Sequence, residues 1–328
     1  MKIITDEQIE NLNAFLNKYD SFIIAGHKEP DGDCISCCLG LAYVCKFLKK
    51  KVILVNEGPF KRTEIKSYAN KFVNKVPAWC YEEKSKCALL IVDCSEFERL
   101  GDIGQNIDKF DTFIIDHHKT AEVKGINHII DSTAPAAACL IQQVVEKICQ
   151  SIPEEIAKIL FFGLSTDTGF FRFLTNDSEE VFHSAARLVA SGANPRTTYQ
   201  EITSGKPWNT RKLLGILLDR AERYENGKLV ITYETLEDTK KYGQEGRDSD
   251  ALYSLMLEVE SVEAVAFVRQ DTEFTCTLGL RSKDKCDVSL IAKAFGGGGH
   301  KNASGASTEG VIKDILPRLI TEFSKQLS

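Results

Sequence analysis

Histidine is scarce in this chain, and a long apolar run and an excess of positive charge are both missing. Only six of the 328 residues are histidine. No apolar stretch reaches the roughly 20 residues that span a bilayer, so we expect no membrane partner. The first residues, MKIITDEQIENLNAF, are acidic and amphipathic and do not resemble a secretory signal. The cytoplasm is therefore the expected location.

The charge balance disfavours one class of partner. The 41 basic residues are outnumbered by 47 acidic ones, which gives a net charge of −6. Proteins that bind long duplex nucleic acid usually carry a basic surface, so we expect no such partner. A small anionic ligand remains compatible with this charge, because a bound metal ion supplies local positive charge.

The eleven cysteines do not form a recognisable zinc or disulfide pattern. Their number is odd, and the only C-x-x-C is formed by Cys34 and Cys37, which Cys38 follows. A structural zinc site normally needs a second pair. We expect reduced, mostly buried thiols, and the sequence leaves the role of Cys34, Cys37 and Cys38 open.

Apolar runs predict an α/β fold. Strands are predicted at 21–25, 51–57, 87–93 and 112–116, with helices at 34–50, 135–150, 153–163 and 178–192. Continuous runs of valine, isoleucine and leucine are typical of parallel strands that are buried on both faces. We therefore expect a parallel sheet flanked by helices.

The turn-rich segment SGANP at 191–195 predicts a division of the chain. Residues 1–192 would form the parallel-sheet domain, 193–225 a helical connector, and 226–328 a smaller α/β domain. In that last domain the runs KLVITYE, AVAFVRQ and FTCTLGLRS predict strands, and helices are expected near 249–260, at 288–295 and at the C-terminal end.

Aspartate and histidine are concentrated at the ends of the apolar runs. A single aspartate after a strand is usually a helix cap or a turn residue. Here, however, four separate segments bring such side chains to strand or helix ends, and ligands of open parallel sheets bind at the carboxyl ends of the strands. Mixed imidazole and carboxylate ligands suit one or two divalent metal ions. The candidate residues are His27, Asp31, Asp33, Asp93, Asp116, His117, His118 and Asp167.

These segments, in this order, resemble the four motifs of the DHH phosphoesterases. The segment 297–305 reads GGGHKNASG and resembles the GGGHxxASG signature of the DHH-associated domain. The resemblance spans most of residues 20–310 and favours the nanoRNase and pAp phosphatase (NrnA-type) branch. It implies a parallel-sheet DHH domain flanked by helices, followed by a smaller C-terminal α/β DHH-associated domain.

The resemblance also implies two divalent metal ions, typically Mn²⁺, with Mg²⁺ or Co²⁺ as alternatives. Asp93 is expected to bridge the two ions. The other implied ligands are His27 and Asp31 for one ion, and Asp33, His117 and Asp167 for the second.

Asp93, Asp116 and His118 are the expected catalytic residues. His118 would face the substrate phosphate or assist proton transfer, and Asp116 would accept a hydrogen bond from a neighbouring imidazole. The family usually has a small residue and then hydrophobic-Gly-Ser after the second aspartate of the first motif. This chain has Cys34–Cys37, CISC, instead, so we expect different helix packing there but unchanged metal ligation.

The glycine run before His300 is either a flexible turn or a cradle for an anion, since glycine lets a ligand approach backbone N–H groups closely. The resemblance implies that this domain binds the substrate. In segment 168–173 the phenylalanines are either core residues or surfaces for base stacking. The expected substrate-binding residues are Arg172, Arg281, Gly297, Gly298, Gly299, His300 and Ser304.

The resulting prediction is a two-metal hydrolase of phosphoester bonds. It would cleave short single-stranded RNA or dinucleotides to nucleoside 5′-monophosphates and dephosphorylate a nucleoside 3′,5′-bisphosphate (pAp). The nearest alternative is a phosphodiesterase of linear or cyclic dinucleotide signals. Manganese pyrophosphatases lack the GGGHxxASG signature, and RecJ-like exonucleases carry further binding modules. A non-catalytic nucleotide sensor is a remote alternative, and a homodimer is compatible with the sequence.

Overall fold

A computed structural model describes residues 1–118, 127–243 and 247–327. The chain divides into two compact units, Met1–Gly205 and Lys206–Ser328. The connector predicted at 193–225 spans the boundary between these units. Among the helices of the described residues, none combines the length and the apolar character needed to cross a membrane.

A five-stranded, all-parallel sheet forms the centre of the first unit. Its strands are β1 (Ser21–Ala25), β2 (Lys51–Val55), β3 (Cys87–Val92), β4 (Thr112–Asp116) and β5 (Asn127–Ile130), in the order β2-β1-β3-β4-β5. Strands β1, β3 and β4 are buried throughout, which confirms the α/β fold that their apolar runs predict. The predicted ends at 57 and 93 were too late. Strand β5 was missed because this edge strand has only two apolar residues.

Helices cover both faces of this sheet. They are α1 (Asp6–Lys18), α2 (Gly32–Phe47), α3 (Ala78–Glu82), α4 (Gly104–Ile107), α5 (Ala137–Cys149), α6 (Glu154–Asp167), α7 (Glu179–Ala190) and α8 (Pro195–Thr203). Helix α1 begins with a capping box between Thr5 and Gln8. Helix α6 runs four residues beyond the predicted end at 163, so that Asp167 is its last residue.

Helix α2 lies against α5 and α6 through small side chains. A β carbon added at Gly163 would lie 2.6 Å from Cβ of Ser36 and 3.1 Å from Cβ of Ala138. One added at Gly40 would lie 2.7 Å from Ile141. All eleven cysteines are buried and free of disulfides, as expected. The sulfurs of Cys34 and Cys38 lie beside Gly26, at 2.3 and 3.6 Å from the position of an added β carbon.

The second unit contains a six-stranded mixed sheet. Its strands are β6 (Glu222–Tyr224), β7 (Leu229–Glu234), β8 (Ala264–Gln270), β9 (Thr275–Ser282), β10 (Gly298–His300) and β11 (Ala303–Glu309), in the order β10-β11-β9-β8-β7-β6. Only β7 and β8 pair in parallel. Part of the glycine run thus forms the edge strand β10. The sequence does not reveal this strand, because three residues are too few to show an alternating pattern.

Helices also cover both faces of this second sheet. They are α9 (Trp208–Asp219), α10 (Leu236–Tyr242), α11 (Ser249–Leu257), α12 (Val288–Ala294) and α13 (Ile312–Leu327). One apolar cluster lies between the sheet and the pair α12 and α13. A second cluster lies on the opposite face, under α9 and α11.

Candidate metal centre and phosphate-binding face

Three neighbouring parallel strands bring His27, Asp93 and His117 to one edge of the first sheet. His27 follows β1 by two residues, Asp93 follows β3 directly, and Asp116 ends β4 just before His117. Because parallel neighbours end at the same edge, these side chains meet there. Asp93 has a φ of +58°, a left-handed conformation that aspartate tolerates better than most residues.

Asp93 lies between the buried His27 and the half-buried His117. Its Oδ2 is 3.3 Å from Nε2 of His27, and its Oδ1 is 3.4 Å from Nε2 of His117. Asp31 Oδ1 lies 3.8 Å from Nε2 of His27, and Asp167 Oδ2 lies 3.4 Å from Nε2 of His117. The two oxygens of Asp93 therefore face two separate groups of donors, one around each histidine.

Backbone carbonyls orient both imidazoles. Nδ1 of His27 lies 2.9 Å from the carbonyl oxygen of Lys28, and Nδ1 of His117 lies 3.1 Å from that of Ala134. A carbonyl only accepts, so Nδ1 donates in each ring and Nε2 is the ring nitrogen that faces the carboxylates. Asn56, which sequence reasoning missed, is buried and donates from Nδ2 to the carbonyl of His27 at 2.9 Å.

Besides being a candidate metal ligand, Asp33 has a structural role that the sequence does not show. Its carboxylate accepts the backbone N–H of Ala137 at 2.6 Å and that of Ala138 at 2.8 Å, in the first turn of α5. The N-cap residue Ala136 has no side chain that can do this, so Asp33 caps the helix instead. Oδ2 of Asp33 also lies 3.9 Å from Nε2 of His117, and each carboxylate oxygen has a second lone pair for a metal ion.

The remaining two carboxylates come from helix ends. Asp31 is the N-cap of α2, where Oδ1 accepts the N–H of Cys34 at 3.1 Å. Asp167 is the last residue of α6. These ends come close because Gly32 has no side chain: a β carbon there would lie 2.5 Å from Oγ1 of Thr166.

The ionisable groups of this centre shift one another's pKa values strongly. Burial, with the carboxylates of Asp93 and Asp31, raises the pKa of Asp167 to about 7. Burial disfavours a charged His27, but Asp31 and Asp93 outweigh it and raise the pKa of this imidazole to about 12. Burial is likewise outweighed at His117, chiefly by Asp93, and its pKa rises to about 10. Protons and metal ions therefore compete for these atoms.

The donor atoms fit divalent metal ions. Oδ1 of Asp93 and Nε2 of His117 are buried and have no hydrogen-bond partner within the described residues, which is rare for buried polar atoms. Donors that share one ion at about 2.1 Å lie about 3.0–3.4 Å apart, close to the 3.3 and 3.4 Å found here. Within the described residues, three groups have their donor atoms within 4.8 Å of one another: His27, Cys34 and Asp93; Asp93, His117 and His118; and Asp33, His117 and Asp167.

Two members of these groups, His118 and Cys34, were not among the expected ligands; His118 was expected as a catalytic residue, and Cys34 had no assigned role. Its position in the first turn of α2, three residues after Asp31, is the signal that places it here. A contact with Cys38, together with burial, raises the pKa of the Cys34 thiol well above its ordinary value. A protonated thiol is a poor metal ligand, so the carboxylates and imidazoles are the better donors.

Asp116 holds His118 in one orientation. Oδ1 of Asp116 accepts a hydrogen bond from Nδ1 of His118 at 2.8 Å and from the backbone N–H of His117 at 2.8 Å. The His118 side chain is 34% exposed. Its Nε2 is therefore the ring atom available to a ligand, and an imidazole held in this way can transfer a proton.

In the second unit, Arg281 and His300 lie in one row across the sheet. Ala303 on β11 pairs with Arg281 on β9 and with His300 on β10. Directly paired residues project from the same face, and two strand spacings separate Arg281 from His300 by about 10 Å. In the next row on this face, the same three strands carry glycine, namely Gly298, Gly305 and Gly279, and the row continues with Phe267 on β8.

Tyr253, which sequence reasoning missed, supports Arg281. The guanidinium carbon of Arg281 lies 4.7 Å from the centroid of the buried Tyr253 ring. Gly279 leaves space for this ring, because a β carbon there would lie 1.9 Å from the tyrosine hydroxyl. The face of the sheet therefore presents a positioned cation beside bare backbone, which suits an anionic ligand.

Three of the expected substrate-binding residues serve the hairpin itself. Ser304 is buried and donates from Oγ to the carbonyl of His300 at 2.7 Å. A β carbon at Gly297 would lie 2.1 Å from the carbonyl oxygen of Gly305, and one at Gly299 would lie 2.7 Å from Oγ of Ser304. Ser304 pairs with residues of the opposite face, so the structure does not bring it to the Arg281 face.

The three phenylalanines in the loop after α6 differ in burial. Phe170 and Phe171 pack against the core of the first unit, whereas Phe173 is 69% exposed. Arg172 donates from Nε to the carbonyl of Gly169 at 3.0 Å, and its guanidinium carbon lies 5.6 Å from the centroid of Phe173. Core packing thus accounts for two of the three rings.

Known proteins share both units of this chain. The DHH family N-terminal domain matches residues 21–164, and the DHHA1 domain matches residues 226–328. The bifunctional oligoribonuclease and PAP phosphatase NrnA of Thermus thermophilus is 31% identical over 306 residues, which are 92% of this chain and 89% of that protein. This chain belongs to the DHH family. The resemblance seen in the motifs is thereby confirmed.

Two further proteins show how widely this DHH architecture is used. The cyclic-di-AMP phosphodiesterase PdeA of Listeria monocytogenes is 25% identical over 334 residues, which are 96% of this chain but 48% of that protein. The crystal structure of an exopolyphosphatase-related protein from Bacteroides fragilis is 23% identical and superimposes with a TM-score of 0.85, over 100% of this chain and 99% of that one. The second comparison shows the fold only.

Proposed function

We propose that this DHH protein hydrolyses short oligoribonucleotides to nucleoside 5′-monophosphates and dephosphorylates the nucleoside 3′,5′-bisphosphate pAp. The observation that carries this proposal is the position of Asp93, whose two oxygens face His27 and His117 at 3.3 and 3.4 Å. These two activities are the ones named for the Thermus relative.

Two divalent ions are part of the proposal, with Mn²⁺ as the first choice and Mg²⁺ or Co²⁺ as alternatives. Asp93 would contribute to both positions. When bound, such ions lower the pKa of a shared water and offset the charge that builds on the phosphoryl group. The other ligands would be His27 and Asp31 at one position, and Asp33, His117 and Asp167 at the other.

The remaining site residues would handle the proton and the substrate. Asp116 fixes the His118 ring so that Nε2 can deliver a proton to the leaving oxygen. Arg281 and His300 would bind a phosphate of the substrate, since a guanidinium can make two parallel hydrogen bonds to phosphate oxygens. Arg172 is a further candidate for such a contact.

Hydrolysis of linear or cyclic dinucleotide signals is the second candidate. The similarity to the Listeria phosphodiesterase favours it. The same donor groups would serve this reaction, because it also breaks a phosphodiester bond. Only a comparison of substrates separates the two candidates, and a nucleotide sensor without turnover would cleave none of them.

The test is a panel of substrates with full-length protein and Mn²⁺: linear dinucleotides, pAp, cyclic dinucleotides and pyrophosphate. Asp93→Asn keeps the size of the side chain and removes its charge. Loss of a residue that only supports a metal ligand costs about 10–100-fold in activity. We expect Asp93→Asn to lower turnover by more than that. Asp20→Asn, at an exposed aspartate, is the control. If the wild-type protein cleaves no linear dinucleotide, or if Asp93→Asn turns over normally, the proposal is wrong.

A further inference from the structure

We propose that Phe173 is a stacking surface for a nucleobase of the substrate, an inference that rests on the proposed function. The ring belongs to the loop that follows α6, whose last residue is Asp167. It lies against Gly169, where an added β carbon would be 2.4 Å from Cε2 of Phe173. The side chain is nevertheless 69% exposed, so most of the ring is available to a planar ligand.

The backbone that carries this ring is strained and firmly held. Gly169, Phe170 and Phe171 have φ values of +56°, +55° and +71°, a left-handed run that residues other than glycine rarely adopt. The N–H of Phe170 donates to the carbonyl of Ser165 at 2.7 Å, and that of Phe171 donates to Oγ1 of Thr168 at 3.0 Å. Strain of this kind persists only where the surroundings enforce it, and it is concentrated at ligand sites.

The two neighbouring rings anchor the loop, which leaves Phe173 for another role. Phe170 contacts the Tyr199 ring with the centroids 5.1 Å apart. Phe171 stacks on Phe182 at 5.6 Å, with 25° between the planes. Phe173 has no such aromatic partner among the residues that the structure describes, and a strained loop that merely filled the core would not need to expose it.

A nucleobase is the occupant that the chemistry favours. Base stacking on an aromatic face tolerates any base, as cleavage of short oligonucleotides of mixed sequence requires. The guanidinium carbon of Arg172 lies 5.6 Å from the centroid of Phe173, so that a cation and an apolar face occur side by side. These two groups complement those of a nucleotide, which are an anionic phosphate and a planar base.

The experiment compares full-length wild type with Phe173→Leu, Phe173→Trp and the control Phe274→Leu, which removes a similarly exposed ring from the second unit. Binding is followed by fluorescence quenching of a 2-aminopurine dinucleotide in the presence of chelator, so that no hydrolysis occurs. Kinetics are measured on a dinucleotide and on its two analogues with one abasic ribose. Urea unfolding verifies that each variant is folded. If Phe173→Leu does not fold, Phe173→Gln takes its place.

We expect Phe173→Leu to weaken binding of the dinucleotide about 5- to 140-fold. At least one abasic analogue should be unaffected, because it lacks the base that stacks. Phe173→Trp should bind like wild type, and Phe274→Leu should change little. Wild-type affinity in Phe173→Leu overturns the inference, and so does an equal loss for the dinucleotide and both abasic analogues. A wild-type protein that cleaves no dinucleotide refutes the proposed function itself.

Discussion

Replacement of Gly163 by alanine should force α6 away from α2 and shift Asp167. The added β carbon would lie 2.6 Å from Cβ of Ser36 and 3.1 Å from Cβ of Ala138. Carbon atoms in contact are about 3.5–4.0 Å apart, so the helices must separate by about 1 Å. The β carbons of Ser36 and Ala138 cannot rotate away, because they are fixed to the backbone. Asp167 lies one turn further along α6 and must move with it.

Two opposing effects set the size of the change in stability. Overpacking of this kind costs about 1–3 kcal/mol, while alanine gains about 0.8–1.0 kcal/mol over glycine within a helix. The net destabilisation of Gly163→Ala is therefore about 0–2 kcal/mol. Gly215→Ala is the matched control, since Gly215 lies in α9 and an added β carbon there meets nothing within 4 Å. It should gain about 1 kcal/mol instead.

Urea unfolding followed by circular dichroism measures both variants, and calorimetry measures their Mn²⁺ affinity. We expect Gly163→Ala to lose Mn²⁺ affinity, because Asp167 no longer lies 3.4 Å from Nε2 of His117. Gly215→Ala should bind Mn²⁺ like wild type. The reasoning fails if Gly163→Ala is stabilised as much as Gly215→Ala and keeps its affinity for the ion.

Two other predictions concern charge. Because the pKa values of His27 and His117 are raised to about 12 and about 10, both rings carry a proton that a metal ion must displace. Each ion would have one of these rings among its ligands, so the affinity for each Mn²⁺, measured by calorimetry, should rise about 10-fold per pH unit between about pH 7 and 8. His183→Gln is the control, and an affinity that is independent of pH above pH 7 would contradict this. Tyr253→Leu should raise KM about 2- to 30-fold with kcat unchanged, since it removes the ring under Arg281, whereas Tyr253→Phe should behave like wild type. Equal effects of the two substitutions would show that the ring does not act through Arg281.

The sequence by itself determines the fold of the first unit and which segments reach its metal centre. Strands that are buried on both faces must consist of apolar runs, and such runs are visible at β1, β3 and β4. A side chain within two residues of the end of such a strand must lie at the edge of the sheet, so the candidate ligands His27, Asp93 and His117 can be read from the chain. Short polar edge strands such as β5 and β10 leave no comparable pattern.

Only the tertiary structure decides how those side chains are oriented. Asp33 caps a helix 104 residues away, and His117 is oriented by the carbonyl of Ala134. Neither contact has a sequence signal, because a backbone group offers the same atoms whatever its side chain. Arg281 and His300 share a face because of strand register, and a slip of one residue would place one of them on the opposite face. The alternation within β9 restricts which of its side chains face the core, but the residue that each side chain pairs with on β11 and β10 is known only from the folded sheet.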